Sequence, residues 1–411
     1  MLQHDQPYRS AIPVERATAQ PLVQAALLVL AVMVTFPPPI PGAPAGMRPT
    51  EILSLVSNAA LLLALLSGAS LHRAAIPLGI AALLSILWII AEVISMSLMT
   101  ASGPAHFALV RWVMGLATGY WLAVLMDDPR YRRTVGLGLI LGLVLSVGTI
   151  LQDSLTFDPT AAVDLTPDAE EVLATRWGED GTYRAAGIFI HPNNAAAVGL
   201  LIVPLIIGFV EERRLPRLAL LLAAVAIGVV FLTTQTRGSS GVAALLLIMH
   251  LLRSPIAHRL IVVVLLLEIL VLGILSGLLP LDAVLHRFAA TGENAENLGG
   301  RLETTLYSLL LALENPLGLG SRYVPALQAA TGFSATHNAY LQLALMGGLP
   351  LALFVTARLL SAAFLRAPRG RVTESWVALY MLGSFFFENL FFAPPITLFT
   401  IWLLWRPTTR A

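Results

Sequence analysis

Apolar residues along this chain gather into long runs separated by short polar stretches. The runs lie near 22–40, 51–69, 75–99, 105–126, 134–152, 187–210, 217–234, 240–252, 260–279, 338–364, 375–392 and 394–405. Most approach the ~20 residues that a helix needs to cross the hydrocarbon core of a bilayer. In lipid each backbone polar group has to be satisfied within its own segment, so such runs are read as helices. The pattern predicts an all-α, polytopic integral membrane bundle of about twelve transmembrane helices, rather than a soluble enzyme on an anchor. Pro394-Pro395 leaves a very short turn between the last two runs.

Arginine placement sets the expected orientation. With the N-terminus in the cytoplasm, the inner segments hold sixteen arginines: Arg9, Arg16, Arg73, Arg130, Arg132, Arg133, Arg213, Arg214, Arg217, Arg253, Arg259, Arg366, Arg369, Arg371, Arg406 and Arg410. The outer segments hold seven: Arg48, Arg176, Arg184, Arg237, Arg287, Arg301 and Arg322. Twelve crossings keep this alternation in phase and put both termini in the cytoplasm. Residues 1–21 read as a polar cytoplasmic tail without the features of a signal peptide. The whole of 1–411 reads as one membrane domain with two longer periplasmic loops, 153–186 and 280–336. The first loop is acidic, an ordinary solvated face that could also hold a divalent cation. In the second, Leu302, Leu306, Leu309, Leu310 and Leu313 recur at helical spacing over Arg301–Glu314, so one face is expected on the membrane or on neighbouring helices. Long ordered loops are usually functional, so chemistry is expected on the outer side.

Composition narrows the classes. Hydrophobic residues make up 57% and charged residues 12% of the 411, against about 25% charged in a soluble domain. A net charge of +1 gives no sign of a nucleic-acid partner. There is no cysteine, which excludes disulfides and thiolate metal sites. All 25 basic residues are arginine. Arginine is always charged and grips phosphate in a fork, although GC-rich coding would produce the same bias. No nucleotide-binding loop, outer Asp-x-Asp motif or zinc spacing occurs, so no cofactor or metal is expected.

Three polar constellations face the outer side. In the first, Arg184 and Gly187 lead to His191-Pro192-Asn193-Asn194. Pro192 fits the first residue of a helix, which makes Gly187–His191 an approach segment at the surface. The helix N-terminus offers free N–H groups and a positive dipole end, and Arg184 stands just before it, an arrangement suited to pyrophosphate. An interfacial cap with a snorkelling arginine explains the same residues equally well. The second is Thr233-Thr234-Gln235-Thr236-Arg237-Gly238-Ser239-Ser240-Gly241, read as a turn dipping below the surface and lining a wet cavity. The third is Thr336-His337-Asn338, opening the tenth run. An imidazole there could take a proton from a hydroxyl, or could merely cap a helix. Gly347-Gly348-Leu349-Pro350 should kink that helix. Within the spans, Glu92 and Arg111 sit about seven residues either side of a short outer turn and are expected to pair, ~10 Å deep. Glu268 and Glu388 have no evident partner, and Arg358 can snorkel inward.

These elements, in this order, resemble the O-antigen ligase and O-antigen polymerase family of membrane glycosyltransferases. The resemblance rests on Arg184…Gly187-x-Phe189-x-x-Pro192-Asn193, Thr236-Arg237-Gly238, Arg301…Asn315-Pro316-Leu317-Gly318-x-Gly320, and His337-Asn338-x-Tyr340-Leu341…Gly348, and it covers a core of about 184–355. Met346 and Leu351 depart from it, since the family often has an acidic residue near the first and a glycine near the second. The resemblance implies a GT-C-like fold in the bacterial inner membrane and glycan transfer on the periplasmic side, without metal or nucleotide. The implied donor is a glycan on undecaprenyl pyrophosphate, and the implied acceptor is lipid A–core or another lipid-linked glycan. It implies His337 as the catalytic base and Arg184, Arg237, Arg301, Asn193 and Asn338 as pyrophosphate and substrate residues. Two other classes compete. A small-anion transporter should show repeats and mid-membrane polar groups, which are not evident here. A non-catalytic assembly scaffold would tolerate loss of the outer arginines.

Overall fold

A computed structural model describes residues 15–42, 47–68, 75–98, 100, 103–157, 176, 183–189, 191–256, 295–333, 335–365, 371–391 and 393–405. Regular structure among them is helical. In chain order the helices are α1 (Glu15–Thr35), α2 (Pro49–Leu66), α3 (Ala75–Ser97), α4 (Gly103–Asp127), α5 (Pro129–Thr156), α6 (Pro192–Gly199), α7 (Ile202–Glu211), α8 (Ala219–Thr234), α9 (Arg237–Arg253), α10 (Ala295–Glu314), α11 (Tyr323–Thr331), α12 (Ala339–Gly347), α13 (Leu349–Phe364), α14 (Val372–Ser384) and α15 (Pro394–Leu404). Among the described residues, five segments are long and apolar enough to cross a bilayer: Pro49–Leu66, Gly79–Ser97, His106–Asp127, Pro129–Thr156 and Pro192–Glu211. The chain is thus a helical membrane protein. The expected ninth span at 260–279, most of the acidic loop and the first part of the 280–336 loop lie outside the described residues.

Small residues let the helix backbones meet. On α5, a Cβ added to Gly138 would come 2.6 Å from the Leu28 carbonyl oxygen of α1, and one on Gly142 2.6 Å from that of Val32. The crossing is sealed by the Thr35 hydroxyl donating to the Leu139 carbonyl at 3.0 Å and the Ser146 hydroxyl donating to the Thr35 carbonyl at 2.9 Å. Around this pair, α4 packs on α2 and α15, and α14 on α7, α9 and α13. At the end remote from Arg184, buried Arg132 bridges Glu212 at 2.7 Å and Glu374 at 2.8 Å, joining the start of α5, the end of α7 and the start of α14. Removing Arg132 would strand two buried carboxylates. Arg132→Met is expected to cost about 3–5 kcal/mol, visible as a large drop in detergent melting temperature.

Two helices break where proline and glycine demand it. Pro204 has no N–H for the Leu200 carbonyl. The chain there switches to a tighter turn, with Leu201 N donating to Val198 O at 3.1 Å, so one apolar run becomes α6 and α7. The expected kink at Gly347-Gly348 is a full break: Gly348 stands at φ +90° and α13 restarts with Pro350 in its first turn. Asn315–Gly320 docks into the gap, through Leu319 N to Leu345 O at 2.6 Å and Leu349 N to Pro316 O at 2.9 Å. A Cβ on Gly318 would come 2.7 Å from Gly348 N, and one on Gly348 2.9 Å from Leu317 O. Backbone meets backbone there, and neither side can yield. Positive φ alone penalises a side chain by about 1–3 kcal/mol. Gly348→Ala should therefore lower the melting temperature clearly, whereas Gly228→Ala, with nothing within 4 Å of the new Cβ, should not.

The expected Glu92–Arg111 pair does not form. Glu92 accepts instead from Ser321 N at 2.8 Å and the Ser321 hydroxyl at 2.6 Å, with His106 Nδ1 at 3.1 Å. Arg111 Nε donates to Glu51 on α2 at 3.2 Å. Equal depth does not give equal direction. His106 and Arg111 are five residues apart, which is about 140° around a helix, so the face that meets α3 at His106 has turned toward α2 at Arg111. On α10 the expected leucine face, Leu302, Leu306, Leu309, Leu310 and Leu313, is exposed, while Thr304, Ser308, Leu311 and Ala312 are buried. The helix thus packs on α12 by its small and polar side, and its leucines turn away from the protein.

Candidate active site

The approach segment before α6 is fixed by a carboxylate. Asp153, at the end of α5, accepts from Ala186 N and Gly187 N, both at 2.8 Å. It also accepts from the Tyr183 hydroxyl at 2.9 Å and pairs with Arg176 at 3.2 Å. Gly187 needs to be glycine: its φ is +56° and a Cβ would lie 2.8 Å from Ile150 N. Asp153 belongs to the acidic stretch read from the sequence as a solvated face, and here it is a structural anchor.

This anchoring delivers Arg184 to the start of the next helices. Its Nη2 donates to Asn193 Oδ1 at 2.6 Å, and its Nε donates to the Thr234 carbonyl at 3.0 Å. The Thr236 hydroxyl donates to the same Asn193 oxygen at 3.1 Å. Asn193 Nδ2 in turn donates to Glu388 at 2.6 Å. One guanidinium thereby ties the approach segment, the N-terminus of α6 and the turn between α8 and α9. Glu388, expected to lack a partner, is 7% exposed and held by Asn193. A buried carboxylate needs such compensation. Its contact lay 195 residues away, beyond any spacing argument.

The second constellation is less irregular than expected. Only Gln235, at φ +54°, and Thr236 are non-helical. Arg237-Gly238-Ser239-Ser240 instead forms the first turn of α9, so the helix has 17 residues rather than about twelve. Arg237 is exposed at its tip, and Gly238 leaves room for Phe387, whose Cβ would be 2.5 Å from an added Cβ.

His337 occupies the left-handed region at φ +51°. A histidine held there is worth a functional hypothesis. It lies between buried Thr336, whose hydroxyl meets the Asn389 side-chain oxygen, and Asn338, which caps α12 by accepting from Leu341 N at 3.1 Å. Ala339 N donates to the Phe385 carbonyl at 2.8 Å. The loop between α14 and α15, which carries Glu388 and Asn389, is thus stitched to the His337 turn. Arg301 is helical in α10, which packs on α12. Its side chain lies outside the described residues.

His191 links the two halves. Its Nδ1 accepts from Asn193 N at 3.1 Å, capping α6. Burial first, then the charges of Arg184 and His337, push its pKa from 6.5 down to about 4. The folded protein therefore holds the neutral ring. Its contribution to stability is complete above pH 6.5 and is lost as the pH falls toward about 4. The melting temperature should drop across that window, and His191→Asn, which keeps a cap, should flatten the drop.

Residues 221–356 match the family model described as O-antigen ligase. The matched segment holds Arg237, Arg301, His337 and Asn338; Arg184, Asn193 and Glu388 lie outside it. No curated protein matches the chain. By this match the chain carries an O-antigen ligase family segment, in agreement with the resemblance read from its motifs.

Proposed function

We propose that this chain, as the bearer of an O-antigen ligase family segment, transfers a glycan from undecaprenyl pyrophosphate to an acceptor sugar hydroxyl on the periplasmic face of the inner membrane. The observation that carries the reading is the Arg184–Asn193–Thr236 cluster at the start of α6 and α9, reached through Glu388 from the loop that braces His337. Arg184, with Arg237 and Arg301, would hold the diphosphate beside two helix N-termini, where positive potential favours an anion. The acceptor oxygen attacks the anomeric carbon as the bond to the diphosphate oxygen breaks. His337 takes the hydroxyl proton, and the arginines stabilise the charge gained by the leaving diphosphate. Attack opposite the leaving group inverts the anomeric centre. Asn193 and Asn338 orient the substrate, and Glu388 orients Asn193.

A repeat-unit polymerase would use the same residues, with a second lipid-linked glycan as acceptor instead of lipid A–core. Deleting the gene and resolving surface and lipid-linked glycans on gels separates the two. Finished polymer stranded on the lipid carrier identifies a ligase, and single repeat units identify a polymerase. An unchanged glycan pattern would refute transfer by this chain. A small-anion transporter would instead move its ion into proteoliposomes that contain no glycan.

A further inference from the structure

His191 offers more than a helix cap requires. Its ring stands at the N-cap of α6, where the Asn193 N–H donates to Nδ1 at 3.1 Å. Serine, asparagine and aspartate suit that position best, because a short side-chain oxygen reaches the free N–H groups of the first turn. An imidazole caps with one nitrogen and carries a second on the far side of the ring. Since Nδ1 accepts, the proton of the neutral ring sits on Nε2, which is then a donor only. The ring is part-exposed, and among the described residues its Nε2–H meets no acceptor.

The neighbours of the ring indicate what such a donor would serve. Asn193, whose N–H the ring caps, also accepts from the Arg184 guanidinium on its side-chain oxygen at 2.6 Å. Arg184 and His191 thus hold the same residue at the start of α6. The charges of Arg184 and His337 both bear on the ring. His191 therefore stands within electrostatic reach of the group assigned above to the diphosphate and of the group assigned to the acceptor proton. A cationic ring there would oppose Arg184. Burial first, and then those charges, keep it neutral down to a pKa of about 4. A neutral N–H can donate beside a guanidinium without repelling it.

We propose that His191 is a substrate-binding residue, its Nε2–H donating to an oxygen of the donor's diphosphate beside Arg184. This role rests on the transfer reading above and adds an uncharged donor to its arginines. No proton moves through the ring: Nδ1 stays committed to the cap, and Nε2 keeps its hydrogen throughout. The positive end of the α6 dipole favours the same anion.

The test uses the full-length protein in detergent, with farnesyl diphosphate as the probe, farnesol as the uncharged comparison and calorimetry as the readout. His191→Ser supplies a hydroxyl that caps α6 and removes the distant donor. At neutral pH it should melt near the wild-type temperature. It should bind farnesyl diphosphate about tenfold more weakly, the worth of a hydrogen bond to a charged group. NMR of wild type labelled with nitrogen-15 histidine is the second measurement, with the His191 signals assigned by their loss in His191→Asn. They should report the Nε2–H tautomer, and the Nε2–H signal should move on adding farnesyl diphosphate but not farnesol. This arm decides the question if His191→Ser fails to fold. Arg184→Ala separates the two levels of failure. If it binds the diphosphate weakly while folded His191→Ser binds like wild type, the transfer reading stands and the role of His191 falls. If wild type does not prefer the diphosphate to the alcohol, both fall. A proton on Nδ1, or an Nε2–H signal indifferent to farnesyl diphosphate, would also overturn the proposal.

Discussion

Arg184→Ala is expected to abolish glycan transfer, by about 10²–10³-fold or more, as for loss of one donor to a developing oxyanion, while the protein still inserts and folds. The expectation rests on how much one guanidinium joins. It reaches Asn193 at 2.6 Å and the Thr234 carbonyl at 3.0 Å, so its loss frees two helix starts from one another. It also removes the positive charge nearest the N-terminus of α6. Arg184→Lys should recover little, because an ammonium cannot serve Asn193 and Thr234 in one plane while facing a diphosphate. Transfer measured with purified protein and a lipid-linked donor checks this. Full activity in folded Arg184→Ala would remove the guanidinium from the mechanism.

His337→Asn should reduce transfer by about 10²–10⁴-fold, the usual worth of a positioned general base. Asparagine is the informative replacement. It tolerates the left-handed backbone that His337 adopts at φ +51°, so the turn before α12 should survive. His337→Gly relieves the backbone further and should be equally inactive. Donor binding should change little in both, because the arginine cluster is intact. Loss of fold in His337→Ala alone, with His337→Asn active, would reassign the residue to a structural cap.

The chain reveals its helices more readily than their directions. Pro192 marked the start of α6 because proline at a first helical position costs nothing, and Gly348-Leu349-Pro350 marked the break before α13. Arg184 and Thr236 fall on one side of the membrane by span counting, but nothing in the sequence joins them; both meet Asn193 Oδ1 in the structure. Pairing inside the bundle was not legible. Depth follows from counting residues, but facing depends on azimuth, so Glu92 and Arg111 share a depth and still meet different partners. Glu388 looked orphaned because its partner, Asn193, comes from a remote helix. Gly318 and Gly348, from the third and fourth motifs, meet backbone to backbone and hold the break between α12 and α13, a contact between segments some thirty residues apart that no local pattern shows.

The most direct measurement is binding of farnesyl diphosphate to the detergent-purified chain by calorimetry, with farnesol as the uncharged comparison. Wild type should bind the diphosphate and not the alcohol, and Arg184→Ala should bind it about tenfold or more weakly, the worth of one charged hydrogen bond. Gly228→Ala should match wild type. Equal binding of diphosphate and alcohol, or undiminished binding by Arg184→Ala, would contradict an arginine-built diphosphate site.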